Sequence, residues 1–427
     1  MDKALFDEMI ATRRRIHRRP EEGWTEFETN WLVVERLREI GGFDILLGTK
    51  VVNPEAVMGR SEKLVKEAIE RALANGVPQS FIDETEGYTG CVAVLDTGRP
   101  GPTTAFRCDM DCVIVSETAD PAHVPNAEGF ASERPGFMHA CGHDAHTAVG
   151  LAVARWLAEH RDELCGRFKL VFQPAEEGVR GGGAIAASGV LDDVDQLIGG
   201  HVGTFARLGE VGLCHTGFLA STKLDIYFEG TPSHAGADPH KGRSALMAAC
   251  ATAMMMQGIP RHGEGTTRVS VGRLVAGEGR NVTPVHAFMQ AEVRGSSGEI
   301  NQYMVDAVEN IVKGNAVAYG VKGRIEKAGE ATTLDDCPEL LDVIRSVAGG
   351  IDGVKRVFDE SRPSGSEDCT MLIRRVKEHG GRGTYFLFGC NQNGHHRADF
   401  DIQDTESLPV AFEVFTGVAK KLNGLAA

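Results

Sequence analysis

Eight consecutive residues, His139-Ala140-Cys141-Gly142-His143-Asp144-Ala145-His146, carry three imidazoles, a thiol and a carboxylate. Imidazole nitrogen and thiolate sulfur are ligands for transition metals. Cys141 and His143 flank a glycine, so both side chains can turn toward one ion, and a helix starting nearby favours the thiolate. A second group, Pro174-Ala175-Glu176-Glu177-Gly178, follows an apolar run. Two adjacent carboxylates suit two roles better than one, a metal ligand and a general base. His201 lies in Gly199-Gly200-His201-Val202-Gly203, again ending an apolar run, where glycines permit close backbone approach. His395 and His396 stand side by side in Gly394-His395-His396-Arg397-Ala398-Asp399-Phe400. Asp109 and Asp111, at the end of another such run, offer a carboxylate to orient a ligating histidine. His234, in Gly230-Thr231-Pro232-Ser233-His234-Ala235-Gly236, belongs to a different stretch and could close over a bound substrate. Taken singly, these groups also fit blander roles: a capping loop, a solvated glutamate pair, a core histidine, a tandem of surface histidines. Their recurrence at the ends of apolar runs favours a metal centre.

The elements that must position these groups follow from periodicity. Residues 3–40 read as helix interrupted at Pro20, and 54–86 as a further helical stretch. CVAVLDTG (91–98) and TTAFRCDMD (103–111) read as paired strands joined by a Gly/Pro turn. Residues 145–160 form an apolar-periodic helix with Asp144 placed as N-cap. FKLVFQPAEEG (168–178) and QLIGGHVG (196–203) are buried strands running into polar turns. Strands alternating with helices predict an α/β sheet with helices on both faces.

The pattern changes near Gly217. Strands over 221–236, 267–277, 285–295 and 321–328, with helices over 244–259 and 300–319, give the order βαββαβ, a ferredoxin-like unit. After about 330 the first pattern resumes, with a strand at 384–390 and a terminal helix at 408–425. The expected organisation is an α/β/α catalytic domain over residues 1–217 and 331–427. An α+β domain over 218–330 is inserted into it and serves as lid and dimerisation domain. The competing arrangement simply extends the first sheet.

Composition narrows the function. The 427 residues include 45 Lys+Arg and 60 Asp+Glu, a formal net charge of −15. That acidity argues against nucleic acid or an anionic membrane as partner. Hydrophobic residues at 42% and charged residues at 25% fit a soluble protein with ample core. The N-terminal stretch lacks the apolar region of a secretory signal, and no run is long enough to span a bilayer. Ten scattered cysteines follow no disulfide framework. A reducing cytoplasm is the expected location.

Eight motifs in order carry a resemblance: DMD at 109–111, HACGHDAHT at 139–147, PAEEG at 174–178, GGHVG at 199–203, SHAGADPHKG at 233–242, NVTP at 281–284, GSEDC at 365–369 and HHRADFDI at 395–402. From about Ile10 to the last helix the chain resembles the two-metal aminoacylase/carboxypeptidase family of amidohydrolases, in its N-acyl-amino-acid hydrolase branch. The resemblance implies two divalent ions, Mn or Zn, held by Cys141, His143, Glu177, His201 and His396. His396 is preferred to His395 because the family's ligand lies four residues before the aromatic, here Phe400. It implies Glu176 as general base, Asp109 as the carboxylate orienting a ligand, and His234 as the group polarising the scissile carbonyl. Asn281 and Arg294 fall at substrate-side positions. The implied substrate is a small N-acyl amino acid, an arylacyl-glutamate favoured, and the implied assembly is a homodimer or a heterodimer with a related subunit. One departure stands near the site: the family commonly has Ala-Leu-Pro after DMD, where this chain has Cys112-Val113-Ile114. The alternatives within this resemblance are a dipeptidase or carboxypeptidase of the same family and an inactive partner subunit. A cysteine-nucleophile hydrolase built on Cys141 would leave Glu177, His201 and His396 without a role.

Overall fold

The computed structural model describes residues 1–362 and 365–425. The chain divides into two compact units. The first comprises residues 1–217, 334–362 and 368–427, and the second residues 218–333 and 363–367.

The first unit is built on eight strands: β1 (Asp44–Leu46), β2 (Cys91–Asp96), β3 (Thr103–Asp109), β4 (Arg167–Gln173), β5 (Gln196–Val202), β6 (Glu210–Cys214), β11 (Arg356–Glu360) and β12 (Arg382–Phe388). The second contains β7 (Ala220–Glu229), β8 (Thr267–Ala276), β9 (His286–Gly295) and β10 (Lys322–Ala331). The large sheet runs in the order β1-β2-β4-β3-β5-β12-β6-β11. Its middle four strands, β4, β3, β5 and β12, are mutually parallel. They are buried and nearly continuously apolar, as parallel strands covered on both faces must be.

The two faces are separated by the pleat. Successive side chains on a strand point to opposite faces. Arg107 on β3 reaches Asp368, beside the helix Cys369–Glu378. Its neighbour Cys108 lies against Gly150 of the helix His143–Glu159. One face therefore carries His143–Glu159 with Lys3–Arg18 and Asp404–Asn423 packed around it. The other carries Cys369–Glu378 and Gly181–Ala186.

Two sequence expectations are corrected here. β2 and β3 are not paired with one another: β4 lies between them, antiparallel to β2 and parallel to β3. The short Gly/Pro connection suggested a hairpin, but both strands gain more by pairing with the fully buried β4. Nor does Asp144 cap its helix. The helix starts at His143, with Gly142 at the cap position in left-handed conformation (φ 90°). Asp144 instead lies within the first turn, bound to Arg13 and His17. The helical segment 3–40 is divided as Pro20 predicts, into Lys3–Arg18 and Phe27–Ile40.

In the second unit the sheet order is β10-β7-β9-β8, antiparallel throughout. With helices Ala245–Gln257 and Gly298–Tyr319 this is the βαββαβ order of a ferredoxin-like unit. Alternation decides what is buried. Ala287, Met289, Ala291 and Val293 of β9 enter the core with Leu224, Ile226 and Phe228 of β7 and with Met304, Val305 and Val308 of the long helix. All ten cysteines are free thiols. Among the described residues no helix is long and apolar enough to cross a membrane.

Candidate metal centre and active site

The four parallel strands end on the same side of the sheet, and ligands in such sheets bind beyond their carboxyl ends. Asp109 ends β3, the Glu176-Glu177 loop follows β4, His201 lies near the end of β5, and His395-His396 follow β12. The cluster Cys141–His146 joins them because its helix crosses β3, β4 and β5. Sequence-distant groups are thus brought together by strand direction alone.

Cys141, His143 and His201 form one group whose ligand atoms lie within 4.8 Å of one another. Cys141, Glu177 and His396 form a second, and His143, Glu176 and Glu177 a third. Cys141 Sγ is 3.5 Å from His201 Nε2, and His396 Nε2 is 3.1 Å from Glu177 Oε1. The five residues that the resemblance implied as ligands and the implied base therefore lie in one cluster. Gly142 makes the first group possible. A Cβ there would lie 2.4 Å from Val202, and its positive φ lets Cys141 and His143 face the same space. His396 (φ 60°) and Ala175 (φ 52°) hold the same conformation without being glycine. Such backbone strain persists where the surroundings impose it, as around functional groups.

Hydrogen bonds sort the imidazoles. His201 donates through Nδ1 to the Val202 carbonyl (2.8 Å), leaving Nε2 toward Cys141. His143 Nδ1 faces Asp111 (3.3 Å), and its buried Nε2 has no hydrogen-bond partner. Buried Glu177 Oε1 faces His396 Nε2 at 3.1 Å. His146 is different: Nδ1 binds Asp109 (2.5 Å) and Nε2 accepts the Val202 N–H (2.9 Å), so neither nitrogen is available to an ion.

The electrostatics fit a cation. Burial pushes the Cys141 thiol up, and Glu177, Glu176 and Asp109 push it further. Burial opposes charge on His143, but Asp109, Asp111 and Glu177 outweigh it and hold its pKa at about 10. The pocket thus favours positive charge where His143 Nε2 points. Burial, with His146 and His395 nearby, keeps His201 neutral, the form that ligates. Thiol, imidazole and carboxylate donors with an orphaned buried nitrogen are a donor set for divalent transition ions.

Asp111, rather than Asp109, is the carboxylate behind a ligand. Its Oδ1 faces His143 Nδ1 and accepts the Glu176 N–H (3.0 Å), while Oδ2 accepts the Glu177 N–H (2.9 Å). Asp109 binds Arg107 (2.5 Å) and His146, and its Oδ2 lies 3.7 Å from His143 Nε2. The orienting role implied for Asp109 therefore moves two residues along. One further carboxylate, Glu26, had not been singled out from the sequence. It is buried and accepts the Ala175 N–H (2.8 Å) and the Thr89 hydroxyl (2.7 Å). Three successive N–H groups, 175 to 177, are thus each held by a buried carboxylate. Only its place in the polar run before an apolar helix marks Glu26 in the sequence.

His234, Asn281 and Arg294 belong to the second unit. His234 is exposed, bridges to Val282, and accepts the Gly236 and Ala237 N–H groups at Nδ1 (3.1 and 3.0 Å). The proton is therefore on Nε2. Asn281 is exposed and its carbonyl accepts the Ala235 N–H, so these two residues adjoin. Arg294 does not join them. It lies at the far end of β9, opposite Ser221, and its guanidinium binds Glu292 (3.0 and 3.2 Å). β9 spans roughly 27 Å between His286 and Arg294 at about 3.4 Å per residue. Asn281 thus precedes β9 and Arg294 stands near its end, because alternation fixes a residue's face and not its end of the strand. The departure Cys112-Val113-Ile114 leads into a bridge between Val113 and Met138, with Ile114 73% exposed.

Residues 105–421 match the profile of peptidase family M20/M25/M40. The chain belongs to that family. It is 45% identical over 418 residues to a p-aminobenzoyl-glutamate hydrolase subunit homolog of Haemophilus influenzae, covering 98% of this chain and 99% of that one. It is 41% identical over 415 residues to the indole-3-acetyl-aspartic acid hydrolase of Enterobacter agglomerans, covering 96% and 95%. Its fold matches the aminobenzoyl-glutamate utilization protein of Klebsiella pneumoniae with TM-score 0.83 and 36% identity, over 98% and 96% of the chains. The YXEP protein of Bacillus subtilis, a dinuclear metal-binding peptidase of the M20 family, matches with TM-score 0.65 and 26% identity over 98% of each chain. This M20 chain is a hydrolase, with groups of residues able to hold metal ions.

Proposed function

We propose that this M20 enzyme hydrolyses the amide bond of an N-acyl amino acid whose amino-acid part is acidic, with an arylacyl-glutamate such as p-aminobenzoyl-glutamate favoured. The single observation carrying this reading is the cluster of Cys141, His143, Glu177, His201 and His396 around Glu176. The names of the two similar hydrolases, one for an acyl-glutamate and one for an acyl-aspartate, support the substrate class.

In this reading those five residues hold two divalent cations, Mn or Zn. Bound there, such cations would supply Lewis acidity toward a carbonyl oxygen and a water. Glu176, held at its N–H by Asp111, takes a proton from that water and passes it to the leaving nitrogen. His201, fixed by its bond to Val202, and His143, fixed by Asp111, keep their ligating nitrogens aimed. His234, donating through Nε2, steadies the negative oxygen. The second unit then serves as lid and dimerisation domain, with Asn281, beside His234, and Arg294 as its substrate-side residues. Its edge strand β8 exposes Val275 and Leu274, and the adjoining helix exposes Met247 and Met254, which favours association of two copies or of a related subunit there. Ten free thiols accord with a cytoplasmic setting.

The test is reconstitution with Mn or Zn, elemental analysis, and a panel of N-acyl amino acids including p-aminobenzoyl-glutamate. Two ions per chain and turnover of acyl-glutamate are expected. A one-ion stoichiometry unchanged by Cys141→Ser, or no turnover on the panel, overturns the reading.

A further inference from the structure

A polar cavity of 920 Å³ lies within the first unit, lined by the loops that follow β5 and β12. Two of its walls are direct continuations of ligand loops. Thr204 and Arg207 follow His201, and Asn391 and Gln392 precede His396. The third wall is the start of β11, including Arg356. The loops meet at Gly203, where a Cβ would lie 3.3 Å from His395 and 3.4 Å from Gln392.

The cavity is lined by three arginines and two acids, Glu210 and Asp359, in a chain that carries fifteen more acids than bases. Two of its arginines have their charge answered: Arg356 binds Glu210 (3.1 Å), and Arg362 binds Glu360. Both guanidiniums also lie over aromatic rings, Arg356 over Phe358 (4.8 Å) and Arg362 over Phe205 (4.1 Å), which fixes them as walls. Arg207 differs. It is exposed, and its guanidinium has no ion-pair partner among the described residues. Its backbone is anchored, its N–H donating to Glu210 (3.0 Å) and its carbonyl accepting from Glu210 N–H (2.8 Å). Asn391 accepts the Leu208 N–H through its Oδ1 (3.4 Å), so its amide NH₂ is the group left to donate. Gln392 likewise uses its oxygen, accepting the Gly394 N–H. The Arg207 charge reaches Glu210 without a close ion pair, and an anchored guanidinium fork of that kind beside two amide side chains suits a carboxylate.

We propose that this cavity takes the side-chain carboxylate of the leaving amino acid, with Arg207 as its main contact and Asn391 and Gln392 as supporting donors. The assignment deepens the amidohydrolase reading and rests on it for the identity of the ligand. It makes Arg207 the residue that selects acyl-glutamate over the isosteric acyl-glutamine. The cavity's walls begin three residues after His201 and five before His396, and they meet at Gly203 beside His395.

The experiment compares metal-loaded wild type and Arg207→Ala on N-acetyl-L-glutamate and N-acetyl-L-glutamine. Steady-state kinetics are measured on both proteins, and calorimetric binding of the two compounds to both. Loss of a charge-assisted fork is expected to raise KM and Kd for the glutamate compound about 10- to 100-fold. The glutamine compound should stay within about 2-fold and kcat should be unmoved, the signature of lost substrate binding rather than lost chemistry. Arg207→Lys, which keeps charge but not the fork, should fall between. Equal effects on both compounds, or none on either, overturn the assignment. If wild type cleaves neither compound yet binds the glutamate form in an Arg207-dependent way, the cavity assignment stands and the hydrolase reading falls. If both are cleaved equally and binding ignores Arg207, the cavity assignment falls alone.

Discussion

Asp111→Asn is the substitution that separates positioning of the catalytic loop from metal binding. The side chain keeps its shape but loses one acceptor. In the native protein Oδ1 and Oδ2 accept from Glu176 N (3.0 Å) and Glu177 N (2.9 Å), with His143 Nδ1 at 3.3 Å. An asparagine satisfies one of the two backbone groups and turns an NH₂ toward the other. At least one charge-assisted hydrogen bond is lost, worth about 1.5–3 kcal/mol. If that loss is felt wholly in the transition state, through a displaced Glu176, kcat falls about 10- to 150-fold at about 1.4 kcal/mol per decade. Metal affinity should also weaken, about 10- to 100-fold, because His143 loses its orienting partner. Kinetics are therefore run at saturating metal, with elemental analysis of the same samples. Asp109→Asn is the contrast. It touches Arg107 and His146 and leaves the Glu176 loop alone, so its main cost is stability, read as a lower Tm. The reasoning is refuted if Asp111→Asn keeps kcat within about 2-fold at full metal loading. It is equally refuted if Asp109→Asn reproduces the kcat loss with metal content and Tm unchanged.

Glu176→Ala should keep both ions and lose activity by about 10²–10⁴-fold, and loss of metal in elemental analysis would exchange the roles of Glu176 and Glu177. Glu26 is held up at about 8 by burial and by the charge of Asp111, against an ordinary 4.5. The folded state thus binds its proton more tightly than the unfolded chain, so wild-type stability should fall as pH rises from about 4.5 through about 8. Glu26→Gln keeps an acceptor for Ala175 N–H and should remove that decline in a series of melting curves, and an undiminished slope would locate the pH dependence elsewhere. Light scattering at micromolar concentration should give a dimer, and Val275→Lys on the exposed edge strand should shift it toward monomer.

Part of the candidate cluster was legible because Glu177 and His201 stand at or just beyond the ends of apolar runs. A buried parallel strand reads as such a run, and its carboxyl end is where the sheet places chemistry. His201 and Glu177 needed nothing more than that rule and a neighbouring glycine or proline. Strand order was less legible. β2 and β3 are joined by a short turn, and nothing local in 91–109 says that β4, some sixty residues later, inserts between them. Pairing is decided by which strands can bury both faces, a property of the whole sheet. Helix capping failed for a similar reason: Asp144 has the chemistry of an N-cap, but buried Arg13 and His17 compete for it more strongly than backbone N–H groups do.

Carboxylates behind the ligands show where pattern and geometry part. Asp109 and Asp111 are two apart and lie on the same side of an extended chain, so spacing does not choose between them. The choice comes from β3 ending at Asp109. While still in the strand, Asp109 is held against Arg107 and His146, and its reach is limited to the sheet. Asp111, one residue past Met110 in the loop, can approach the Glu176-Glu177 backbone from below and take both N–H groups at once. A carboxylate that must satisfy a loop belongs in a loop, and one that must neutralise a buried arginine belongs in the strand beside it. The same logic separates Arg207 from Arg294. Arg294 sits on a regular strand beside Glu292, with its acid partner two residues away on the same face. Arg207 sits in a loop where its backbone is tied to Glu210 while its guanidinium makes no close ion pair, which leaves its fork open to a ligand.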